Sequence, residues 1–317
     1  MNAETIGTIV VALGGNAIAR SGDDGTIKAQ YGRAREAAHA IGGLIAAGAH
    51  VVLTHGNGPV VGNIVLRGEL ASGSVPPTPL YIAGADSEGG IGLMLQQTLG
   101  NEMRQRGSAR TVVSLVTQVV VDADDPAFGR PTKPIGNFYS AEEAARLRAE
   151  CGWVMAPQTD GRLRRVVPCP TPRRVVEVEA VRALLAAGEV PIAAGGGGVP
   201  VVELSDGSLA GIDAVIDKDW TGALLAAQLD AQVLVLLMEA DAVYENFGSP
   251  QARRIPSLNV AEAERMLAEG AFAEGSIAPK VAASAHFVKS SGGSAVLCRA
   301  EDLEAALEGR AGTLISA

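Results

Sequence analysis

Residues 8–15 read TIVVALGG, an almost entirely apolar run that ends in a glycine pair. Continuous apolar runs of this length are typical of strands that are buried on both faces of a parallel sheet. A stretch with apolar positions at helical spacing follows at about 30–47. The next apolar run, HVVLTHGNGP at 50–59, again ends in glycines. This succession of strand, glycine turn and helix decides the fold class.

The same unit recurs along most of the chain. Further strand-like runs occupy residues 111–121, 190–196, 233–239 and 293–299. Helical stretches occupy residues 86–106, 175–187, 219–229, 260–269 and 279–290. Because the strands are apolar on both faces and alternate with helices, the sequence predicts an α/β fold with a mostly parallel sheet covered on both sides.

One segment, from Asp122 to Thr171, breaks this alternation. It is rich in proline and polar residues, and its one predicted helix is short, at about 141–150. A segment of this length without regular alternation is typically functional, as a lid or binding loop. We therefore expect a single domain spanning residues 1–317, with a small protruding subdomain or lid at about 122–171.

Composition excludes several classes of partner. The chain has 26 basic and 35 acidic residues and contains no block of lysine and arginine, which argues against binding to nucleic acid or to an anionic membrane. It contains no run of 18 apolar residues and its amino terminus does not resemble a signal peptide, so we expect a cytoplasmic protein. The three cysteines are far apart and are interpreted as ordinary reduced thiols.

Three glycine clusters follow strand-like runs, and each is expected to lead into a helix. They are Gly14-Gly15, Gly56-Asn57-Gly58 and Gly195–Gly198. Ligands of open parallel sheets bind at the carboxyl ends of the strands, where backbone N–H groups and helix N-termini can meet an anion. The clusters therefore favour a phosphate site. Neither the P-loop motif nor the dinucleotide-binding GxGxxG motif is present, so a nucleotide would be bound by other means.

Three of the five lysines lie in settings that suit phosphate binding. Lys133 stands in GRPTKPIG, between prolines that stiffen the backbone, and Lys280 follows a proline at a predicted helix start. Lys218 lies between Asp217 and Asp219 where another helix begins. Aspartates at such a position can hold a lysine in place or bind Mg²⁺. His55, beside the second glycine cluster, is a possible base, although a packing or hydrogen-bonding role is preferred.

Together these motifs resemble the carbamate kinases of the amino acid kinase superfamily. The resemblance runs in unbroken order over almost the whole chain. It is carried by VVALGGNA (10–17), THGNGPVVG (54–62), IGLMLQQ (91–97), LVTQVVVDADDPAF (115–128), PTKPIGNFY (131–139), RRVVPCPTP (164–172), AAGGGGVPVV (193–202), VIDKDWTGALLA (215–226) and APKVAA (278–283).

The resemblance implies a fold, a reaction and an assembly. The fold would be one αβα sandwich with an eight-stranded, mainly parallel sheet and a protruding subdomain, assembled as a homodimer. The enzyme would transfer a phosphoryl group reversibly between ATP and carbamate, with Mg²⁺. In catabolism, as part of arginine metabolism, it would make ATP from ADP and carbamoyl phosphate.

The resemblance also implies roles for individual residues. Lys133 would reach the transferred phosphoryl group from the protruding subdomain when that subdomain closes, and Lys218 and Lys280 would contact the nucleotide phosphates. Asp219 would orient these lysines or bind Mg²⁺. The residues that would hold carbamate and the phosphoryl group are Gly14, Gly15, Asn16, Gly56, Asn57 and Gly58. Those that would contact the nucleotide are Gly195, Gly196, Gly197, Lys218, Glu239, Asp241, Tyr244 and Lys280.

The chain departs from the family pattern at three places. Met238-Glu239 stands where such kinases commonly carry Thr-Asp, Trp220 where a leucine usually follows the IDKD motif, and residues 83–92 lack the usual polar Ser-Gln-Gly run. Two alternatives therefore stay open. The protein could phosphorylate another small carboxylate or phosphonate, or it could be a weakly catalytic subunit that binds nucleotide or carbamoyl phosphate.

Overall fold

The alternating pattern forms nine α-helices and seventeen strands in the part of the chain that the structure describes. The computed structural model describes residues 7–15, 18, 25–71, 73–158, 161–273 and 276–317. The helices are α1 Ile27–Ala46, α2 Gly58–Leu70, α3 Leu80–Gln105, α4 Ala141–Cys151, α5 Val178–Ala186, α6 Lys218–Gln228, α7 Val260–Ala268, α8 Ile277–Ser291 and α9 Leu303–Leu307.

The strands are short, as expected for segments of a twisted sheet. They are β1 Thr8–Leu13, β2 His50–His55, β3 Val112–Ser114, β4 Gln118–Val121, β5 Lys133–Tyr139, β6 Met155–Pro157, β7 Leu163–Val167, β8 Pro172–Val175, β9 Val190–Ile192, β10 Val199–Glu203, β11 Leu209–Gly211, β12 Val233–Leu237, β13 Val243–Glu245, β14 Arg253–Ile255, β15 Ser257–Asn259, β16 Ser294–Cys298 and β17 Thr313–Ser316.

Strand β1 lies at the centre of the eight-stranded main sheet. The strand order is β15-β17-β16-β12-β1-β2-β9-β3. Six strands from β16 to β3 are parallel, and β17 pairs antiparallel with β16. Val11 of β1 pairs with Val235 on one side and with Leu53 on the other. The predicted α/β fold with a mainly parallel, eight-stranded sheet is confirmed.

Alternate residues of β1 face two separate hydrophobic cores. Val10 and Ala12 belong to the core that includes residues of α6 and α8. Ile9, Val11 and Leu13 belong to the core that includes residues of α1 and α3. Since side chains of a strand alternate between the two faces of the sheet, this division produces the three layers of helix, sheet and helix.

The structure differs from the sequence-based prediction at the run 111–121 and at helix α2. The run 111–121, expected to be one strand, forms β3 in the main sheet and β4 in a separate four-stranded sheet of order β11-β10-β4-β8. The break lies at Thr117, whose backbone N–H is bonded to the carboxylate of Glu88 at 2.7 Å and whose hydroxyl accepts the N–H of Ala194 at 2.9 Å. Helix α2 was not predicted, because glycines and a proline at its start conceal its periodicity.

Residues 133–167 form a smaller structure beside the main sheet. Its three strands are antiparallel in the order β5-β7-β6. Helix α4, close to its predicted bounds, begins with a capping box between Ser140 and Glu143. Ala144, Leu147 and Met155 form a separate hydrophobic cluster there. The division of the chain into one domain with a subdomain at 122–171 stays a prediction.

None of the helices in the described part of the chain combines the length and the apolar character that a membrane crossing requires.

Candidate active site

A cavity of about 790 Å³ opens at the carboxyl ends of the central parallel strands. Its floor is formed by the residues that follow β1, β2 and β12, among them Gly14-Gly15, Gly56–Gly58 and Met238-Glu239. This is the edge of an open parallel sheet at which ligands bind, because loops and helix N-termini converge there. The cavity is large enough for a nucleotide together with a small second substrate.

The three lysines singled out in the sequence meet at this cavity. Lys133, on β5, lies with its Nζ 2.7 Å from Oδ2 of Asp217. Lys280, on α8, donates to both oxygens of Asp219, at 3.0 and 2.9 Å, and Lys218 is paired with Asp219 as well. These five side chains come from three separate segments of the chain. The fold therefore brings three positive and two negative charges together beside the cavity.

The start of helix α6 fixes the two aspartates. Asp217 is the N-cap residue, and its Oδ1 accepts the backbone N–H of Asp219 at 2.9 Å. One carboxylate therefore satisfies a free N–H of the helix and pairs with Lys133 through its other oxygen. Thr221, one turn further on, ties α6 to the glycine run by donating to the carbonyl of Gly197 at 2.9 Å. The cluster is thus built on a rigid helix end.

The surroundings shift the pKa values of three side chains in this cluster. Burial opposes ionisation of Asp219, but Lys218 and Lys280 outweigh it and lower its pKa to about 2. Burial and repulsion by Lys218 lower the pKa of Lys280 to about 8, in spite of the attraction of Asp219. Burial also disfavours the charged form of Lys133, yet Asp217 more than compensates and raises the pKa of that lysine. Lys133 and Lys280 are therefore both mainly protonated at pH 7 and can bind an anion.

The first two glycine clusters touch each other across the floor of the cavity. A Cβ on Gly56 would lie only 3.0 Å from the backbone nitrogen of Gly15 and 3.1 Å from Cδ of Lys218. Gly56, Asn57 and Gly58 all line the cavity, as do Gly14 and Gly15. Asn57 also donates from Nδ2 to the hydroxyl of Ser87 at 3.3 Å. Asn16, the remaining residue predicted here, lies outside the described residues.

The run Gly195–Gly198 is a tight turn rather than a helix start. Gly195–Gly197 form a single 3₁₀ turn, and the following residues form strand β10, so the expectation of a helix after this cluster is wrong. Gly196, Gly197 and Gly198 have φ angles of +67°, +102° and +84°, which other residues rarely adopt. A side chain at Gly195 would also collide with the ring of His55, and one at Gly196 with the amide of Asn57.

Of the three glycines in this turn that were predicted to contact a nucleotide, one lies at the cavity. Gly196 lines the cavity, whereas Gly195 and Gly197 are buried against His55 and Ile216. Glycine is thus needed at these positions because a side chain would collide with neighbouring parts of the protein. Contact between these glycines and a nucleotide stays a prediction.

His55 and Glu88 form a buried polar layer behind the floor. Burial lowers the pKa of His55 to about 4 and outweighs the opposing hydrogen bond to Gly56, while Lys218 adds a smaller lowering, so the ring is neutral at pH 7. Its Nδ1 lies 3.1 Å from the carbonyl of Gly56, consistent with the packing and hydrogen-bonding role preferred above. Sequence analysis missed Glu88, because nothing in its local pattern shows that a carboxylate there is 1% exposed.

The outer end of the cavity is lined by the segment after β12 and by the β13–β14 hairpin. Glu239 and Tyr244 line it, whereas Asp241 lies beside it and accepts the Tyr244 hydroxyl at 3.0 Å, and contact of these residues with a nucleotide stays a prediction. Sequence analysis missed Phe247, which also lines the cavity and whose ring lies 5.8 Å from that of Tyr244. An aromatic residue in an otherwise polar turn is the signal that identifies it. Arg299 and Glu301 complete this end.

Comparison with known proteins agrees with this geometry. The profile of the amino acid kinase family matches residues 7–299. The carbamate kinase of Pyrococcus horikoshii is 42% identical over 310 residues, covering 97% of this chain and 98% of the relative. That of Staphylococcus haemolyticus is 43% identical over 310 residues, covering 97% and 98%. The solved structure of carbamate kinase from Giardia lamblia bound to AMP-PNP has a TM-score of 0.92 and 35% identity, covering 99% of each chain.

The chain therefore belongs to the amino acid kinase family, the class of phosphotransferase that the fold and the lysine-lined cavity define. The relatives from Pyrococcus horikoshii and Staphylococcus haemolyticus, which match over nearly their full length, are carbamate kinases, and the resemblance found in the sequence is confirmed.

Proposed function

We propose that the protein is a carbamate kinase that transfers a phosphoryl group reversibly between ATP and carbamate, and that makes ATP from ADP and carbamoyl phosphate in catabolism. The observation that carries this proposal is the convergence of Lys133, Lys218 and Lys280 on one cavity at the carboxyl ends of the main sheet. Phosphoryl transfer needs alignment and positive charge more than covalent chemistry, and this cluster supplies both.

The two ends of the pocket support one arrangement of the two substrates. Tyr244 and Phe247 provide an aromatic end suited to a nucleobase, so the nucleotide phosphates would extend toward Lys218 and Lys280. Carbamoyl phosphate would then lie over the glycine floor of Gly14-Gly15 and Gly56–Gly58, beside Lys133. An oxygen of ADP attacks the phosphorus, the bond from phosphorus to the carbamate oxygen breaks, and carbamate leaves as an anion. No protein base is needed, because neither the attacking phosphate nor the departing carbamate exchanges a proton.

Mg²⁺ would enter this reaction bound to the nucleotide. The described residues contain no cluster of three or more His, Cys, Asp or Glu side chains that could hold a metal ion by themselves. Both oxygens of Asp219 accept hydrogen bonds from lysine, which supports a lysine-orienting role over a role as metal ligand. We also propose, from the family resemblance, a cytoplasmic homodimer that acts in arginine metabolism.

The direct test is ATP formation. Purified protein supplied with ADP, Mg²⁺ and carbamoyl phosphate is expected to produce ATP, measured with a coupled hexokinase and dehydrogenase assay. An established carbamate kinase serves as the positive control in the same assay. Absence of ATP from folded protein that still binds ADP would contradict the proposal.

A second candidate function rests on the departures from the family pattern. Met238 and Glu239 line the nucleotide end of the cavity, so the changed pair could accompany a different acceptor, such as another small carboxylate or a phosphonate. Consumption of ATP with such an acceptor, in a protein that is inactive with carbamate, would favour this alternative. Binding of ADP or carbamoyl phosphate without turnover of any acceptor would instead favour a binding subunit.

A further inference from the structure

Helix α2 and strand β5 approach each other through two glycines. A Cβ placed on Gly62 of α2 would lie 2.6 Å from Cα and 2.9 Å from the backbone nitrogen of Gly136 in β5. Real Cβ atoms essentially never make contacts this short, and here the atoms in the way belong to backbone rather than to a flexible side chain. The absence of a side chain at Gly62 is therefore a condition for the observed position of β5.

This contact lies close to the lysine that β5 contributes to the cavity. Gly136 is three residues from Lys133 on the same strand. Val61 of α2 and Ile135 of β5, the neighbours of the two glycines, belong to one hydrophobic cluster. Further along the strand, Tyr139 donates to Glu69 of α2 at 3.5 Å. The strand is thus fixed against α2 on both sides of the glycine contact.

We propose that Gly62 is a positioning residue for Lys133: its contact with Gly136 seats β5 at the depth at which Nζ of Lys133 reaches Asp217 and the transferred phosphoryl group. This inference rests on the proposed function, and it assigns to Gly62 a role that acts through another residue. A side chain at Gly62 would have to move β5 away by about 1 Å to restore an ordinary contact of 3.4–4 Å. A displacement of about 1 Å can cost roughly 100-fold in rate when it misplaces a catalytic group.

The substitution Gly62→Ala tests this inference, and helix α2 offers a matched control. Gly68 lies on the same helix, and a Cβ there would meet no atom closer than 4.0 Å, from the backbone nitrogen of Thr78. Gly68→Ala therefore brings the same change in side chain and the same gain in helix propensity without pressing on β5. We expect Gly62→Ala to lower kcat about 30- to 100-fold, with ADP affinity within threefold of the starting protein. Gly68→Ala should leave both unchanged.

A double-mutant cycle separates positioning of Lys133 from general damage. In a Lys133→Ala background the group that Gly62 positions is absent, so adding Gly62→Ala should lower kcat less than threefold further. An effect of Gly62→Ala that is equally large in both backgrounds would overturn the inference. So would a folded Gly62→Ala protein with the kcat of the starting protein.

A readout that needs no enzymatic activity distinguishes failure of this inference from failure of the proposed function. In the structure the ammonium group of Lys133 is paired with Asp217, and its side chain is 39% exposed. Acylation of Lys133 by a limiting amount of acetic anhydride, followed by mass spectrometry, reports on that pairing. We expect the Lys133 acylation rate to rise at least threefold in Gly62→Ala and to stay constant in Gly68→Ala. An unchanged rate would overturn the inference even if the protein proved to have no kinase activity.

Should Gly62→Ala fail to fold, Tyr139→Phe provides a milder test of the same contact. It removes the hydrogen bond to Glu69 at the far end of the contact between α2 and β5. The Lys133 acylation rate is expected to rise about twofold. No rise in this folded variant would count against the proposed seating of β5 on α2.

Discussion

At the scale of single residues, the candidate site is a small charged cluster in which three lysines are paired with two aspartates. Lys133 is paired with Asp217, whereas Lys218 and Lys280 share Asp219. The sequence identified these lysines and aspartates from their local settings. It could not show that Lys133 would already face Asp217, because the two residues are 84 positions apart, one on strand β5 and the other at the start of helix α6.

The different neighbours predict different defects. Lys133→Ala should lower kcat by roughly 10²–10³, the scale for loss of one preorganised electrostatic contact, and leave ADP affinity within about threefold. Lys218→Ala should weaken ADP binding by at least about tenfold as well, because it removes a charged contact to the nucleotide phosphates. ADP titrations and turnover are measured for both variants. Equal loss of ADP affinity in the two would show that the two lysines serve one subsite.

Glu88 predicts a pH-dependent stability that the sequence alone did not suggest. Burial, opposed by the Thr117 N–H and assisted by Glu177, raises the pKa of Glu88 well above its ordinary value of 4.5. A carboxyl group with a raised folded-state pKa stabilises the fold fully below the ordinary value, and this contribution is lost as the pH rises through the folded-state pKa. From about pH 4.5 upward, the free energy of unfolding of the starting protein should therefore fall relative to that of a variant with an uncharged side chain of the same shape at position 88.

Glu88→Gln provides that isostere. Its free energy of unfolding should be close to that of the starting protein at pH 4, and should exceed it by a growing margin toward pH 8. Urea titrations at four pH values measure the difference. A difference that is constant with pH would mean that Glu88 titrates normally in the folded protein.

At the scale of elements, the six parallel strands from β16 to β3 and most helices beside them were predictable, whereas the edge strands β15 and β17 and the points at which the chain leaves the sheet were not. The apolar run of β1 and the helices that flank it have strong periodicity, and they formed as expected. The turn at Thr117, which sends β4 into a second sheet, depends on Glu88 and Ala194. These partners lie 29 and 77 positions away, so no local pattern could contain them.

The end of strand β12 carries a prediction about nucleotide affinity. Met238 and Glu239 follow this strand and line the cavity, and they occupy positions at which the resembling kinases commonly carry Thr-Asp. Replacing both by Thr-Asp adds a hydroxyl and shortens a carboxylate, and should strengthen ADP binding by about 1 kcal/mol, the scale of one hydrogen bond. Calorimetric titration with ADP measures the change. Unchanged or weaker binding would mean that the cavity has adapted to the native pair.

At the scale of the whole molecule, fold class and the general place of the site followed from the sequence, because both depend on a pattern repeated many times. The glycine clusters marked the carboxyl ends of β1 and β2, where the cavity does lie. The depth at which β5 sits on α2 is set by one contact between Gly62 and Gly136, which are 74 positions apart. A detail that depends on a single long-range contact leaves no periodic trace in a sequence.

The central position of β1 has a consequence for synthesis of the protein. One edge of β1 can pair with β2 soon after both emerge from the ribosome, but the other edge pairs with β12, which lies about 220 residues later. At a translation rate of about 5–20 residues per second, that edge would wait roughly 10–45 s for its partner. Exposed apolar strand edges are prone to aggregation during such a delay. The nascent chain is therefore expected to need protection by chaperones until β12 has been made.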